Sequence, residues 1–286
     1  MSGGQDPRLG VLGAGVMGTG IAALAIGSGV PVVLVDIDGP ALDRARTGIA
    51  RQLRLARLMG AFPAGTPDAA LETTTDVARV ADATAVVESV TERLDSKATA
   101  LATATAVLAA GTLVVSNTSA IPIDELADHV ARPEDLVGIH FMNPPYLIRT
   151  VELIHGRRSS AAAVRAAEEL LAALGQTPVH VGDGPGFVIN RILQRSINEA
   201  ARIVQDGLAT PESVDAAFTG CLGHRSGPLA TADLIGLDNV VDSLAVLLER
   251  TGDEGYRPCD LLVAKVGAGE LGRKTGRGFF EYPDTL

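Results

Sequence analysis

The sequence predicts an α/β protein in which a mainly parallel sheet is followed by a smaller, all-helical second domain. Three observations carry this expectation. Apolar residues make up 47% of the 286-residue chain but aromatics only 3%, so the core must be built from Ala, Val, Leu and Ile, which suits parallel strands covered by helices. Short apolar runs alternate with helical patterns through the first part of the chain. Beyond about Gly182 the strand-like runs disappear and apolar residues recur at helical spacing.

Taken in order, residues 9–12 form an apolar strand, followed by a glycine turn, a helical stretch at 21–26 and a second strand at 32–35, which together make one βαβ unit. A long helix is expected over 40–59, ended by AFPAGTP with its glycine and two prolines. Further strands are expected at 85–88, 113–116, 136–141 and 151–154, with helices between them. Helical spacing then marks 187–204, 211–218 and 234–248. The boundary falls at DGPGF, residues 183–187, which divides the chain into domains 1–184 and 185–286.

The net charge of −10 argues against nucleic-acid binding, because no basic stripe is present to neutralise phosphates. Cys221 and Cys259 lie far apart and in no ligand-like cluster, so neither a disulfide framework nor a metal site is expected, and a reducing cytoplasm is the natural setting. The start, MSGGQDPR, carries an acid and a proline where a signal peptide would place cationic and then apolar residues. Residues 9–35 are uncharged, but Gly13, Gly15, Gly18, Gly20, Gly27, Gly29 and Pro31 interrupt them, so no membrane span is expected.

Gly13-Ala14-Gly15-Val16-Met17-Gly18 fits G-x-G-x-x-G after an apolar strand and at the opening of a helix, with Gly20 shortly after it. The first glycine permits the tight turn, the second lets backbone approach a pyrophosphate and the third lets helix pack on strand, the signature of a Rossmann-type domain. Gly13, Gly15, Val16, Met17, Gly18 and Gly20 are therefore the expected cofactor loop, with the helix N-terminus facing phosphate charge. Asp36 closes the second strand, where a carboxylate can accept from both adenosine ribose hydroxyls. No arginine follows it within Ile37, Asp38 and Gly39 to compensate a 2′-phosphate, so NAD is favoured over NADP.

His140 ends the apolar strand LVGIH, at the sheet edge where ligands bind in such folds. Glu152 lies twelve residues further on, after a double-proline turn that can fold the chain back against it. A carboxylate beside an imidazole fixes its tautomer and stabilises the imidazolium, as general-base catalysis needs.

The segments GAGVMGTGIA, VVESVTERLDSKA, SNTSAI, HFMNPP with VELI, GDGPGFVINRI and LGRKTGRGFFEY follow one another through residues 9–282. In these motifs and their order the chain resembles the L-3-hydroxyacyl-CoA dehydrogenase family. The resemblance implies NAD-dependent oxidation of the 3-hydroxyl of an acyl thioester, with His140 as general base and Glu152 as its partner. It implies that Ser119 and Asn190 hold the reacting oxygen and thioester. It further implies that Glu92 and Lys97 border the nicotinamide and its ribose, that Asn143 and Lys274 approach the cofactor, and that the protein is a homodimer through its helical domain. Each residue also has a structural use: Asn143 and Ser119 in turns, Glu92 and Lys97 as a helix-start ion pair, Lys274 as a solvated charge.

The sequence departs from the family on the helix after the second strand, where Gln52 and Met59 replace a serine and a lysine that meet coenzyme A. Arg46, Arg51, Arg54 and Arg57 keep a basic face there, either a solvated surface or a dock for an acidic acyl carrier protein. HFMNPPYLIRTVELI, GCLGHRSGPL and RTGDEGYRPC resemble a polyketide branch that oxidises a glyceryl group on an acyl carrier protein to the 3-aldehyde, for hydroxymalonyl or methoxymalonyl extender units. Arg149 and His224 fall in these segments. The expected substrate is therefore glyceryl on a carrier protein. The alternatives are short 3-hydroxyacyl-CoA, a free hydroxy acid, and a non-catalytic dinucleotide-binding protein, against which the His140 and Glu152 pair speaks.

Overall fold

The structure, a computed structural model, describes residues 7–62 and 65–282; the first six residues and residues 63–64 of the expected helix break lie outside them. The chain divides into two compact units, Met1–Gly184 and Pro185–Leu286.

The first unit runs β1 (Leu9–Leu12), α1 (Val16–Gly27), β2 (Val32–Val35), α2 (Gly39–Leu58), β3 (Leu71–Thr74), β4 (Ala85–Glu88), α3 (Leu94–Thr105), β5 (Leu113–Ser116), α4 (Ile123–Leu126), β6 (Leu136–His140), β7 (Thr150–His155), α5 (Ala161–Ala173) and β8 (Thr177–Gly182). These strands form one sheet in the order β3-β2-β1-β4-β5-β6-β7-β8. The first six are parallel, β7 runs antiparallel to β6, and β8 is parallel to β7. The order reverses between β1 and β4, and in open sheets of this kind ligands lie in the crevice outside the carboxyl ends at such a switch point.

Every residue of β1, β2, β4 and β5 is buried, which is why these strands read as unbroken apolar runs. The same cause makes α1 apolar all round, since it is buried from Gly18 to Gly27. On α2 only Leu42, Ala45, Ile49, Leu53 and Ala56 are buried, one face at helical spacing, and the arginines lie on the other. Two strands were not expected. β3, LETT, is half-buried and mostly polar, and β8, TPVHVG, is an edge strand with a proline and three exposed positions besides its last glycine. Pairing with β2 and β7 makes them strands where composition does not.

The second unit holds α6 (Ile189–Gln205), α7 (Pro211–Cys221), α8 (Pro228–Ile235), α9 (Leu237–Thr251) and α10 (Asp260–Gly267). The helix expected over 234–248 is instead the junction of α8 and α9, divided at Gly236, whose φ of +99° no helix accommodates. Buried carboxylates tie this unit together. Asp215 accepts from the backbone N–H groups of Leu229 and Ala230 and so caps α8, and Asp233 accepts from those of Phe279 and Phe280 and from the Tyr282 hydroxyl. Cys259 is buried and Cys221 exposed, and neither is bridged. Among the described residues no helix is long and apolar enough to cross a membrane.

Candidate active site

The turn from β1 into α1 lies at the switch point. Gly13 sits at φ +99°, and a Cβ there would stand 2.8 Å from the Ser89 carbonyl oxygen. A Cβ at Gly18 would stand 1.8 Å from the carbonyl oxygen of Gly13, so the helix meets the turn without room for a methyl. Gly15 is different, because a Cβ there meets nothing within 4 Å. It is the N-cap of α1, no side chain caps the helix, and its first-turn N–H groups are left to whatever approaches from outside. An open cradle of backbone donors at this point fits the pyrophosphate of a dinucleotide.

Asp36 stands beside that cradle, its Oδ2 accepting from the Ala14 N–H at 2.6 Å and its Oδ1 from the Asp38 N–H at 2.9 Å. Ile37 next to it is 98% exposed. Two of the expected loop residues serve packing instead. A Cβ at Gly20 would meet Pro145 at 2.9 Å, so this glycine admits the proline turn, and Met17 packs on the core. Val16 is exposed at the first residue of α1.

Across the sheet, the antiparallel register of β6 and β7 sets His140 directly opposite Glu152. The imidazole Nδ1 and the carboxylate Oε2 are 2.8 Å apart, with the residues 7% and 4% exposed. With its Nδ1–H donating a hydrogen bond to the carboxylate, the ring has Nε2 as its basic nitrogen, the tautomer a general base requires. Asn117, at the end of β5, accepts from the Phe141 N–H at 2.9 Å and so fixes the strand end that carries His140. Sequence reasoning missed Asn117, whose only signal is its place in SNTS at the end of an apolar strand.

Between these two sites lies a buried charge cluster at the ends of β4 and β5. The Lys97 ammonium donates to Glu88 Oε1 at 2.9 Å and to the Val90 carbonyl at 3.4 Å, and stands 3.1 Å from Glu92 Oε2. Glu88 also accepts from the Ser116 hydroxyl and the Val90 N–H. Glu92 Oε1 gathers the Thr118 hydroxyl and the N–H groups of Ser119 and Ala120. Burial opposes ionisation of Glu92, but the Lys97 charge and the donors of Thr118 and Ser119 outweigh it and hold the carboxyl below its ordinary range. Glu88 is the second residue sequence reasoning missed.

Ser119 is half-buried in the turn after β5, and Asn143 is exposed in the connection between β6 and β7. In the second unit Asn190 lies in the first turn of α6, and Lys274 donates to both carboxylate oxygens of Asp238, at 2.6 and 2.5 Å. Burial works against the Asp238 charge, and Lys274 with the Asn239 N–H overcomes it and lowers its pKa. Among the described residues no cluster could hold a metal ion.

Gln52 on α2 is half-buried, and Met59, which caps the end of that helix, is exposed. Arg46 donates to Thr73 and Arg57 to Asp68, while Arg51 and Arg54 are exposed. Arg54, Arg57 and Leu58 border a shallow groove of about 450 Å³. Arg149 donates to the Ala61 carbonyl, and the His224 ring packs edge-on against Phe218, so both have structural partners.

A cradle for a pyrophosphate and a paired imidazole able to take a hydroxyl proton are the two halves of dehydrogenase chemistry, and the class of the protein is that of a dinucleotide-dependent oxidoreductase. The family follows from comparison with known proteins. Residues 8–184 match the NAD-binding domain of 3-hydroxyacyl-CoA dehydrogenase and residues 186–282 match its C-terminal domain, so the chain belongs to the 3-hydroxyacyl-CoA dehydrogenase family. It is 40% identical over 278 residues to a probable 3-hydroxybutyryl-CoA dehydrogenase of Deinococcus radiodurans, covering 96% of this chain and 100% of that one. It is 40% identical over 282 residues to the 3-hydroxybutyryl-CoA dehydrogenase of Bradyrhizobium diazoefficiens, covering 96% and 95%. The crystal structure of the (S)-3-hydroxybutyryl-CoA dehydrogenase of Ralstonia eutropha is similar with a TM-score of 0.90 at 36% identity, covering 98% of this chain and 100% of that one.

Proposed function

We propose that the protein oxidises the 3-hydroxyl of a short acyl-CoA, with 3-hydroxybutyryl-CoA as the expected substrate. The observation that carries this is the buried His140–Glu152 pair at the end of β6. His140 Nε2 takes the hydroxyl proton, and the Glu152 carboxylate stabilises the imidazolium so formed and keeps the ring in orientation. When bound, NAD supplies the acceptor for the hydride. Asp36 accepts from the adenosine ribose hydroxyls, and the N–H groups at the start of α1 receive the pyrophosphate. Glu92, beside the Lys97 charge, borders the nicotinamide ribose, with Lys97 acting from behind it; Asn143 and Lys274 complete the cofactor's surroundings. Ser119 and Asn190 hold the reacting oxygen and the thioester. A homodimer in the cytoplasm belongs to the same reading.

The names of the relatives support coenzyme A as the carrier, against the glyceryl carrier protein that the sequence favours. What favours the carrier protein is the pair Arg51 and Arg54, exposed on α2 and suited to an acidic partner. Measuring kcat/KM for 3-hydroxybutyryl-CoA, glyceryl-carrier protein and free 3-hydroxybutyrate at low and high salt separates the readings. The CoA thioester is expected to be used best at both salt concentrations, and to remain the best of the three substrates after charge reversal at Arg51 and Arg54. Preferred turnover of the carrier-bound substrate, lost in salt or on charge reversal, would overturn the proposal.

A second expected result concerns the cofactor. Asp36→Ser combined with Ile37→Arg removes the ribose acceptor and offers a cation to a 2′-phosphate from a fully exposed position. The ratio of kcat/KM for NADP to that for NAD should rise by about tenfold or more, the equivalent of a single charge contact of ~1.4 kcal/mol. An unchanged ratio would remove Asp36 from the ribose.

A further inference from the structure

A cavity of about 400 Å³ lies in the first unit, walled by the end of α1, the segment after α2, the connection between β6 and β7, and the turn from α5 into β8. Neither the glycine turn nor Asp36, Glu92 or His140 lines it, so it is separate from the dinucleotide crevice. Its volume is that of a small-molecule site. Three features of its walls select a ligand. The first is charge. In a chain of net charge −10, none of the described residues lining the cavity is acidic, and Arg149 is among them. Its guanidinium gives one N–H to the Ala61 carbonyl at 2.9 Å, which anchors it across two of the walls, and a guanidinium has further donors to spare. An anchored fork of this kind suits a phosphate. The second is shape. One of the chain's six phenylalanines and one of its three tyrosines, Phe62 and Tyr146, both line this cavity. A Cβ on Gly27 would stand 2.3 Å from the Phe62 ring, so α1 carries a glycine where the ring is seated. Aromatic rings fixed in this way offer flat apolar faces to a flat ligand. The third is an unmet hydrogen bond. Gln176 is 6% exposed, its Nε2 donates to the Pro145 carbonyl at 3.1 Å, and its Oε1 has no donor among the described residues. A buried acceptor left unpaired costs stability, and a ligand N–H or O–H brought to this wall relieves that cost.

An anionic group, a flat apolar body and an N–H or O–H donor occur together in a phosphorylated adenosine. We propose that the cavity is a second nucleotide site, taking a phosphorylated adenosine with its base against Phe62 and Tyr146 and its phosphate on Arg149. Such a group has two sources. One is the nucleotide end of a coenzyme A thioester, in which case the proposal rests on the reading of the substrate given above. The other is a free adenine nucleotide, in which case it stands apart from that reading.

Adenosine 3′,5′-bisphosphate is the probe, titrated calorimetrically into protein saturated with NADH so that the crevice is already filled. The parent should bind it, with a dissociation constant raised about tenfold in Arg149→Gln, the loss of one charge-assisted contact, and about fivefold or more in Phe62→Leu, the loss of a stacking face. Arg149 is exposed, so its replacement should leave the fold intact, and the melting temperature checks Phe62→Leu. No binding to the parent at about millimolar probe, or equal binding by the parent and Arg149→Gln, would overturn the proposal. The two sources are separated by comparing 3-hydroxybutyryl-CoA with the N-acetylcysteamine thioester of the same acyl group, which has no nucleotide. If the coenzyme A end occupies the cavity, Arg149→Gln lowers the ratio of kcat/KM for the CoA thioester to that for the short thioester by about tenfold. If a free nucleotide does, that ratio holds while the bisphosphate still loses affinity. Bisphosphate binding that depends on Arg149, in a protein that turns over neither thioester, would keep the cavity assigned and overturn the substrate reading alone. Turnover of the CoA thioester without any bisphosphate binding would overturn the cavity alone.

Discussion

Replacing His140 with alanine is expected to lower kcat by about 10²–10⁴, the usual worth of a positioned general base, while leaving NADH affinity near its original value. The separation of the two effects follows from the sheet. His140 stands at the end of β6, three strands from β1, whose turn forms the pyrophosphate cradle, and its contact with Glu152 belongs to the β6–β7 register. Glu152→Gln is the informative companion. The amide can still accept from Nδ1–H and hold the ring, but it presents no charge to the imidazolium, so kcat should fall by less than in His140→Ala with the fold intact. Single-turnover measurement of NADH formation, with chemistry limiting, checks both. Retention of more than about a tenth of the rate in His140→Ala would remove the histidine from the role of base.

The second large effect is a contrast between two glycines of one turn. Gly18→Ala should lower both the melting temperature and NADH affinity, because its methyl would stand 1.8 Å from the Gly13 carbonyl oxygen and Gly13, at φ +99°, has no easy way to yield. The direction is telling, since alanine inside a helix is otherwise favoured over glycine by about 0.5–1 kcal/mol. Gly15→Ala meets no protein atom within 4 Å. Its melting temperature should hold, yet its dissociation constant for NADH should rise by about tenfold or more, the loss expected when a well-placed ~1.4 kcal/mol contact is blocked. Thermal unfolding without cofactor, together with NADH titration, measures the pair. Equal behaviour of the two variants would mean that Gly15 does not face the pyrophosphate.

The residues that carry these predictions are legible in the amino-acid sequence because their neighbours are buried on both sides. β1, β2, β4 and β5 have no solvent face, so they stand out as continuous apolar runs, and residues that end such runs, Asp36 and His140 among them, are marked by position. The glycine turn is legible for a related reason, since only glycine fits where a helix start closes to within a methyl's width of a carbonyl. β3 and β8 lack both signals. One is LETT with no buried residue and the other an exposed edge strand containing Pro178, and they become strands only because β2 and β7 offer them backbone partners. The break at Gly236 is hidden for the converse reason, as apolar spacing continues across it while the backbone turns to positive φ.

By itself, then, the sequence determined where along the chain the first-unit core strands lie, the glycine turn with Asp36, and the candidate pair His140 and Glu152, all of which depend on local pattern. The tertiary structure decided what depends on register and burial. That Glu152 faces His140 is a matter of how β7 lies against β6, and that Asn117 holds the end of β6 is a matter of β5 beside it. Only burial separates Glu88 from Glu92 in VVESVTE: one is sealed against Lys97 and Ser116, and the other joins two loops at the crevice. A carboxylate's role is set by what surrounds it in three dimensions, because desolvation and neighbouring charge, rather than residue type, fix its ionisation and its partners.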